Sequence, residues 1–286
     1  MRAAANRLTR GTGDRRRPDA LTALSGAGVI ALVAVAVLAP WIAPYDPLAS
    51  DAANALAPPS AAHWAGTDQV GRDVFSRLIA ATRLDLAIAL SAVVASLALG
   101  SVLGAVCGYR GGLLDRIVGR GVDVLLAFPL FILAIALAAA LGGGAVTIVV
   151  ATAVVNLPFY VRLTRAEVNA RAGAGWVEAA RLAGNGPGRV VFGVLLPNVM
   201  PVLAVQASLN LGWAILNAAG LSFLGVGVEP PTPEWGIMVA EGARYLTAGK
   251  WWLVAFPGLA LTLAVLAFNL LGDGLRDRLD PRGHRG

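Results

Sequence analysis

The stretch "VLLAFPLFILAIALAAALGGGAVTIVVATAVVNLPFYV", residues 124–161, carries no charged side chain over its whole length. A helix crosses the roughly 30 Å hydrocarbon core of a bilayer in about 20 residues, so this run is too long for one crossing. Gly142-Gly143-Gly144 divides it. The division predicts a helix over about 122–141, with Asp123 near its start and Pro129 inside, and another over about 145–161, containing Asn156 and Pro158. Prolines are tolerated in membrane helices where neighbours satisfy the freed carbonyls, and they often mark bends. Other uncharged runs lie at about 21–43, 86–109, 190–228 and 251–272. The count is six helices, and the expected fold is an all-α, polytopic membrane protein.

Composition agrees. The chain of 286 residues is 57% hydrophobic and only 14% charged, with a mean hydropathy of +0.70; a soluble domain is about 25% charged. The net charge of +6 and pI near 10.4 raise the question of nucleic acid, and the placement of the charges answers it. With the N-terminus inside, Lys and Arg number six in the N-terminal tail, three in the loop between the second and third helices, five in the loop 162–198 and four in the C-terminal tail. Only Arg72, Arg77, Arg83, Arg244 and Lys250 fall outside. The positive-inside rule then predicts both termini in the cytoplasm, and the basic pI is topogenic, with no nucleic-acid partner. The first run is longer than a signal peptide's apolar region and lacks a convincing cleavage site, so it reads as a retained span.

The expected order is a cytoplasmic basic tail (1–20), a first transmembrane helix (21–43), an extracytoplasmic segment (44–83), a five-helix transmembrane core (84–275) with a long cytoplasmic loop (162–198), and a cytoplasmic tail (276–286). In the outer segment Thr67 or Asp68 can cap a short amphipathic helix, with Val70, Val74, Phe75, Leu78 and Ile79 beside Arg72, Asp73 and Arg77. That element reads as an interfacial anchor or a partner-docking surface on the outer face. Glycines 272 and 274 are expected to end the last helix.

Chemistry-bearing motifs are sparse. Cys107 is the lone cysteine, and His63 and His284 lie on opposite sides of the membrane, so disulfides and Cys/His metal sites are not expected. No GxxxxGK[ST], H-E-x-x-H or G-x-S-x-G sequence occurs, and Asp85 and Asp123 fall at opposite membrane faces. No catalytic residue is therefore assigned. Two polar features stand out instead. Gln206, Asn210, Trp213 and Asn217 fall at i, i+4, i+7 and i+11, one stripe of the fifth span. It reads either as interhelical hydrogen bonding or as the lining of a wet pathway. The other is "EAARLAGNGPGRVVFGVLLPN", residues 178–198. It predicts a short helix over about 176–183, a break at "GNGPG", and a helix resuming until Pro197. Ala179 and Ala180 give it a smooth face between Trp176 and Leu182, suited to close approach of another protein or to capping its own bundle.

This stretch resembles the EAA signature of binding-protein-dependent ABC importer permeases: Glu178, Ala179, Ala180, Gly184, Val194, Leu196 and Pro197 fill its places, with Val194 where Ile is usual. "GTDQVGRDVFSRLI", "PFYVRLTRA", "LSFLGVGVEPPTPEWGIM" and the final helix are similar to the dipeptide/oligopeptide/nickel branch, of the DppC/OppC type, from about residue 40 to 281. The resemblance implies a type I importer (MetI-like) fold and a transport subunit rather than an enzyme. It implies a second homologous permease, two cytoplasmic ATPases that use ATP and Mg, and an extracytoplasmic binding protein, in a bacterial inner membrane. This chain itself would bind no cofactor. The seven EAA residues would couple to an ATPase, while Asp68, Arg72, Asp73, Glu229, Pro231, Glu234 and Trp235 would belong to an outer gate or docking surface. Dipeptides, longer peptides and chelated nickel all fit this pattern. The rival, an ion-coupled secondary transporter, would need an intramembrane acid or inverted repeats; the central spans show amides and no repeat.

Overall fold

The computed structural model describes residues 17–279. Residues 1–16 of the expected basic tail and 280–286 of the C-terminal tail lie outside them. Within the described residues the chain runs through α1 (Arg17–Ile42), α2 (Val74–Arg110), α3 (Gly112–Ala127), α4 (Leu130–Leu141), α5 (Ala145–Arg171) and α6 (Gly175–Leu182). A single turn α7 (Pro187–Arg189) and a π-helical turn (Val190–Leu195) lead into α8 (Leu196–Phe223), followed by α9 (Trp235–Ala243) and α10 (Trp252–Leu279). The five segments Thr22–Ile42, Val74–Arg110, Ala145–Arg171, Pro187–Phe223 and Trp252–Asp277 are each long and apolar enough to cross a membrane.

The expected sixth crossing is broken. α3 and α4 meet at an angle of 99° across Phe128–Pro129, where one helix over 122–141 was predicted. The proline ring excludes its predecessor from the helical region, and Phe128 is extended with φ −87° and ψ 136°. The predicted inner turn at 108–116 shrinks correspondingly: Gly111, with φ +61°, is the only break between α2 and α3.

α2 is the axis of the bundle, and its main partner is α5. Gly100, Gly104 and Gly108 face α5 one turn apart, and a Cβ there would stand 2.6 Å from Tyr160 Cβ, 2.6 Å from Val161 O and 2.5 Å from Arg165 O. Bare glycine lets the two backbones touch, the packing mode that membrane helices use in place of a hydrophobic drive. At 37 residues α2 is about 55 Å long, so it overshoots the hydrocarbon. Its first turns are the segment predicted to be a separate surface helix. Asp73 caps it, accepting from Ser76 N at 2.8 Å, and neither Thr67 nor Asp68 does. Arg72, Asp73 and Arg77 are buried, not displayed.

Three further boundaries move. α5 continues ten residues past 161 to Arg171. The chain stays helical through Pro197, which has no N–H and crowds the carbonyl four residues back. The π turn absorbs this, with Leu196 N bonded five residues back to Val191 O. Gly272 and Gly274 do not end the last helix; they lie inside α10, where their missing side chains admit Leu209 and Thr22.

Candidate functional site

At one end of the bundle α6 stands clear of the rods. Only Val177 is buried along it, joined to Val190, Val191, Leu195, Val168 and Ala105 in one apolar cluster. Trp176, Glu178, Ala179 and Leu182 are exposed, Leu182 at 89%. The helix stops in a Schellman turn: Gly184 N bonds Arg181 O at 3.0 Å and Asn185 N bonds Ala180 O at 3.3 Å, with Gly184 at φ +84°. Asn185 Nδ2 donates to the same Ala180 carbonyl at 2.8 Å. A Cβ on Gly184 would meet nothing within 4 Å, so glycine serves the turn's left-handed backbone here and no internal contact. Arg181 leans on α2, with its guanidinium 5.0 Å from the Tyr109 ring centre and Nε 3.1 Å from the hydroxyl. Sequence reading missed that brace. Val194, Leu196 and Pro197 lie apart from this exposed ridge, in the π turn and the start of α8 that support it.

Along α8 the predicted stripe splits by environment. Gln206 Nε2 donates to Asn210 Oδ1 at 2.9 Å; Asn210 and Asn217 are buried while Trp213 is 58% exposed. Facing into the bundle is a second polar row that sequence reading did not single out. Thr152, Asn156, Tyr160 and Thr164 recur every fourth residue on α5, all buried. Tyr160 OH and the Asn210 amide lie near enough to interact with each other, while Thr152 Oγ1, Asn156 Nδ2 and Thr164 Oγ1 have no hydrogen-bond partner among the described residues. Each such group costs about 1–3 kcal/mol. The period of four was the available signal.

The opposite end, around α9, is held by buried charge. Arg72 Nε lies 2.5 Å from Asp68, Arg77 Nε is 3.7 Å from the same carboxylate, and both guanidiniums reach Glu241 at 3.7 and 3.9 Å. Arg77 also donates to the carbonyls of Pro231 and Pro47 at 3.2 and 3.3 Å, tying the loop before α9 to the segment after α1. His63 Nδ1 sits 2.9 Å from Asp73. Glu234 caps α9, accepting from Gly236 N at 2.9 Å and Ile237 N at 2.7 Å. It is fully buried against Asp85, whose carboxylate accepts from Trp235 N at 3.2 Å. Burial pushes the Glu234 carboxyl above its usual range, while the two backbone donors pull it down. Of the seven residues assigned to an outer gate or docking surface, Asp68, Arg72, Asp73, Glu234 and Trp235 are therefore interior; Glu229 and Pro231 are exposed. The carboxyl pair went unseen because 149 positions separate its members. Asp123 lies far from it, paired with Arg162 at 2.7 Å.

Comparison with known proteins adds the following. Residues 100–285 match the family described as binding-protein-dependent transport system inner membrane component. Residues 20–59 match the N-terminal TM domain of oligopeptide transport permease C. The di/tripeptide transport system permease protein DppC of Pseudomonas aeruginosa is 48% identical over 260 residues, 89% of this chain and 86% of that one. The probable D,D-dipeptide transport system permease protein DdpC of Escherichia coli is 43% identical, covering 92% and 88%. The glutathione transport system permease protein GsiD of Pectobacterium atrosepticum is 41% identical, covering 90% and 86%.

Proposed function

Because the chain belongs to the binding-protein-dependent transport system inner membrane components, an ABC importer permease family and not one of secondary transporters, we propose that it forms half of a pathway for dipeptides and short oligopeptides. The other half is a second, homologous permease. Two cytoplasmic ATPases using ATP and Mg drive the pair, and an extracytoplasmic binding protein delivers the peptide. In this reading the α6 end and both termini face the cytoplasm, following the positive-inside distribution. The short-peptide substrate is supported by the relatives, whose names carry di- and tripeptides, D,D-dipeptides and glutathione.

One observation carries the coupling role: α6 is an eight-residue helix with a single buried side chain, closed by a glycine turn that nothing among the described residues crowds. It is shaped to enter a cleft in another protein. ATP-driven closure of the ATPases would then shift α6 and, through the Val177 cluster, the π turn and α8. Gly184→Trp is expected to abolish uptake in proteoliposomes and to release the ATPases from tagged permease. Gly184→Asn, which tolerates the left-handed backbone, is expected to retain both. Normal uptake and ATPase retention in Gly184→Trp would overturn the role of α6.

The buried amides of α8 are proposed to serve the pathway, offering hydrogen bonds to peptide groups without a fixed charge. Asn210→Leu is then expected to reduce uptake by about tenfold or more, the scale of one lost hydrogen bond to a solute, with assembly and ATP hydrolysis intact. Failure of the complex to assemble would instead mark the stripe as glue between helices.

A further inference from the structure

Between α3 and α5, at the α6 end, lies a cavity of about 590 Å³ that neither the coupling helix nor the polar rows use. Four arginines and two aspartates line it. Asp115 is taken by Arg165 in a two-pronged ion pair, one arm of 2.6 Å, and Asp123 by Arg162 at 2.7 Å. That leaves Arg116 and Arg120, one turn apart on α3 and both exposed, with no ion pair or hydrogen bond from their side chains among the described residues. Two spare guanidiniums one turn apart suit a phosphate, because each planar fork matches phosphate oxygens in bidentate fashion.

Beside the two ion pairs, the rest of the lining is apolar. Val118, Val122 and Val161 face the same space, and Leu113, Leu114 and Ile117 continue the exposed apolar surface of α3. Arg165 abuts Gly108, near the last turn of α2, so the cavity lies at the level where the spans end. α3 turns 99° from α4; if α4 follows the bundle, α3 crosses it along the membrane surface. A soluble anion has no use for an apolar wall at this depth. A lipid has use for both halves.

We infer that this cavity binds the phosphate of an anionic phospholipid headgroup on Arg116 and Arg120, with the upper acyl chain against the valines. The inference is independent of which face of the membrane α6 occupies, since either leaflet can supply the lipid. Basic pockets at the ends of spans gain about 1 kcal/mol for each arginine near anionic headgroups.

The test uses the purified full-length permease in micelles doped with equal phosphatidylglycerol and phosphatidylcholine, read by native mass spectrometry. Wild type is expected to retain phosphatidylglycerol selectively. Arg116→Gln combined with Arg120→Gln should lower that retention roughly thirtyfold, while Arg244→Gln, an exposed arginine at the other end, should leave it unchanged. Equal retention of the two lipids by wild type overturns the inference, and that arm needs no variant. So does unchanged retention in the double variant, or an equal loss with Arg244→Gln. Excess inorganic phosphate is the last arm: full displacement of the lipid would assign the site to a free anion and overturn it, and resistance to displacement supports it.

Discussion

The two ends of this bundle solve opposite problems with opposite materials. The α6 end displays Trp176, Ala179 and Leu182 to the outside and anchors them through one valine. The α9 end takes Asp68, Arg72, Arg77, Glu234 and Asp85 into the interior and pairs or caps them there, though Arg77 Nη2 is left with a long 3.9 Å approach to Glu241 and no hydrogen bond. Apolar side chains left outside a folded surface mark a partner, whereas charges brought inside mark a brace. The difference supports the proposed division of work, in which the α9 end holds its shape and the α6 end meets a partner.

The comparison breaks first, if it breaks, at Arg77. Its guanidinium stands between Asp68 and Glu241 and bonds the carbonyls of Pro47 and Pro231. Arg77→Ala leaves the buried Asp68 and the partly exposed Glu241 sharing Arg72 alone. Removing one partner of a buried pair costs about 3–5 kcal/mol, so the thermal midpoint of the permease should fall markedly and uptake with it. Arg77→Lys keeps the charge and loses the fork, and should lie between. A wild-type melt in Arg77→Ala would mean that the buried charges brace nothing.

How each end could be read from the sequence follows from the range of its interactions. α6 was legible because its signals are local: helix formers from Trp176 to Leu182, then Gly184 where the turn needs a left-handed residue. The outer charges were misread as a water-facing stripe because Glu241 lies more than 160 positions from Arg77, and amphipathic spacing alone cannot say which face meets water. Pro129 was visible, but a bend tolerated within a span and a break look alike until Phe128 is seen extended. The row of Gly100, Gly104 and Gly108 is also legible in the sequence, because small residues four apart in an apolar run are themselves a packing signal.

A smaller effect sharpens the contrast at the α6 end. Val177→Ala removes two buried methyls from the one buried side chain of α6, worth about 1–2 kcal/mol locally. The global melt should hardly move, because the rods pack without it. Amide exchange in 175–185 should speed up by roughly 5–30-fold as α6 detaches more often. ATPase retention should weaken without being lost. An unchanged exchange rate would show that Arg181 on Tyr109, and not Val177, holds the helix.

The smallest expected effect tests the brace by pH. Glu234 is pushed above its ordinary carboxyl range, by burial first, against the pull of its two backbone donors. A carboxyl whose folded pKa is raised binds its proton more tightly folded than unfolded. Its contribution to stability is therefore fully present below the unfolded value, about 4.3, and is lost as pH climbs through the raised one. Asp85 is the acidic neighbour that shares this pocket. Glu234→Gln cannot ionise, and its single carbonyl oxygen leaves it, like the protonated Glu234, one strong acceptor for the two N–H groups of the cap. In acid the variant should therefore melt close to wild type, and the difference should open in the variant's favour as pH rises, because wild type loses the Glu234 contribution there and the variant does not. Exchange of the α9 amides, read across that range, should follow the same course. A gap that stays constant with pH would remove Glu234 from the titrating groups and leave it as a helix cap alone.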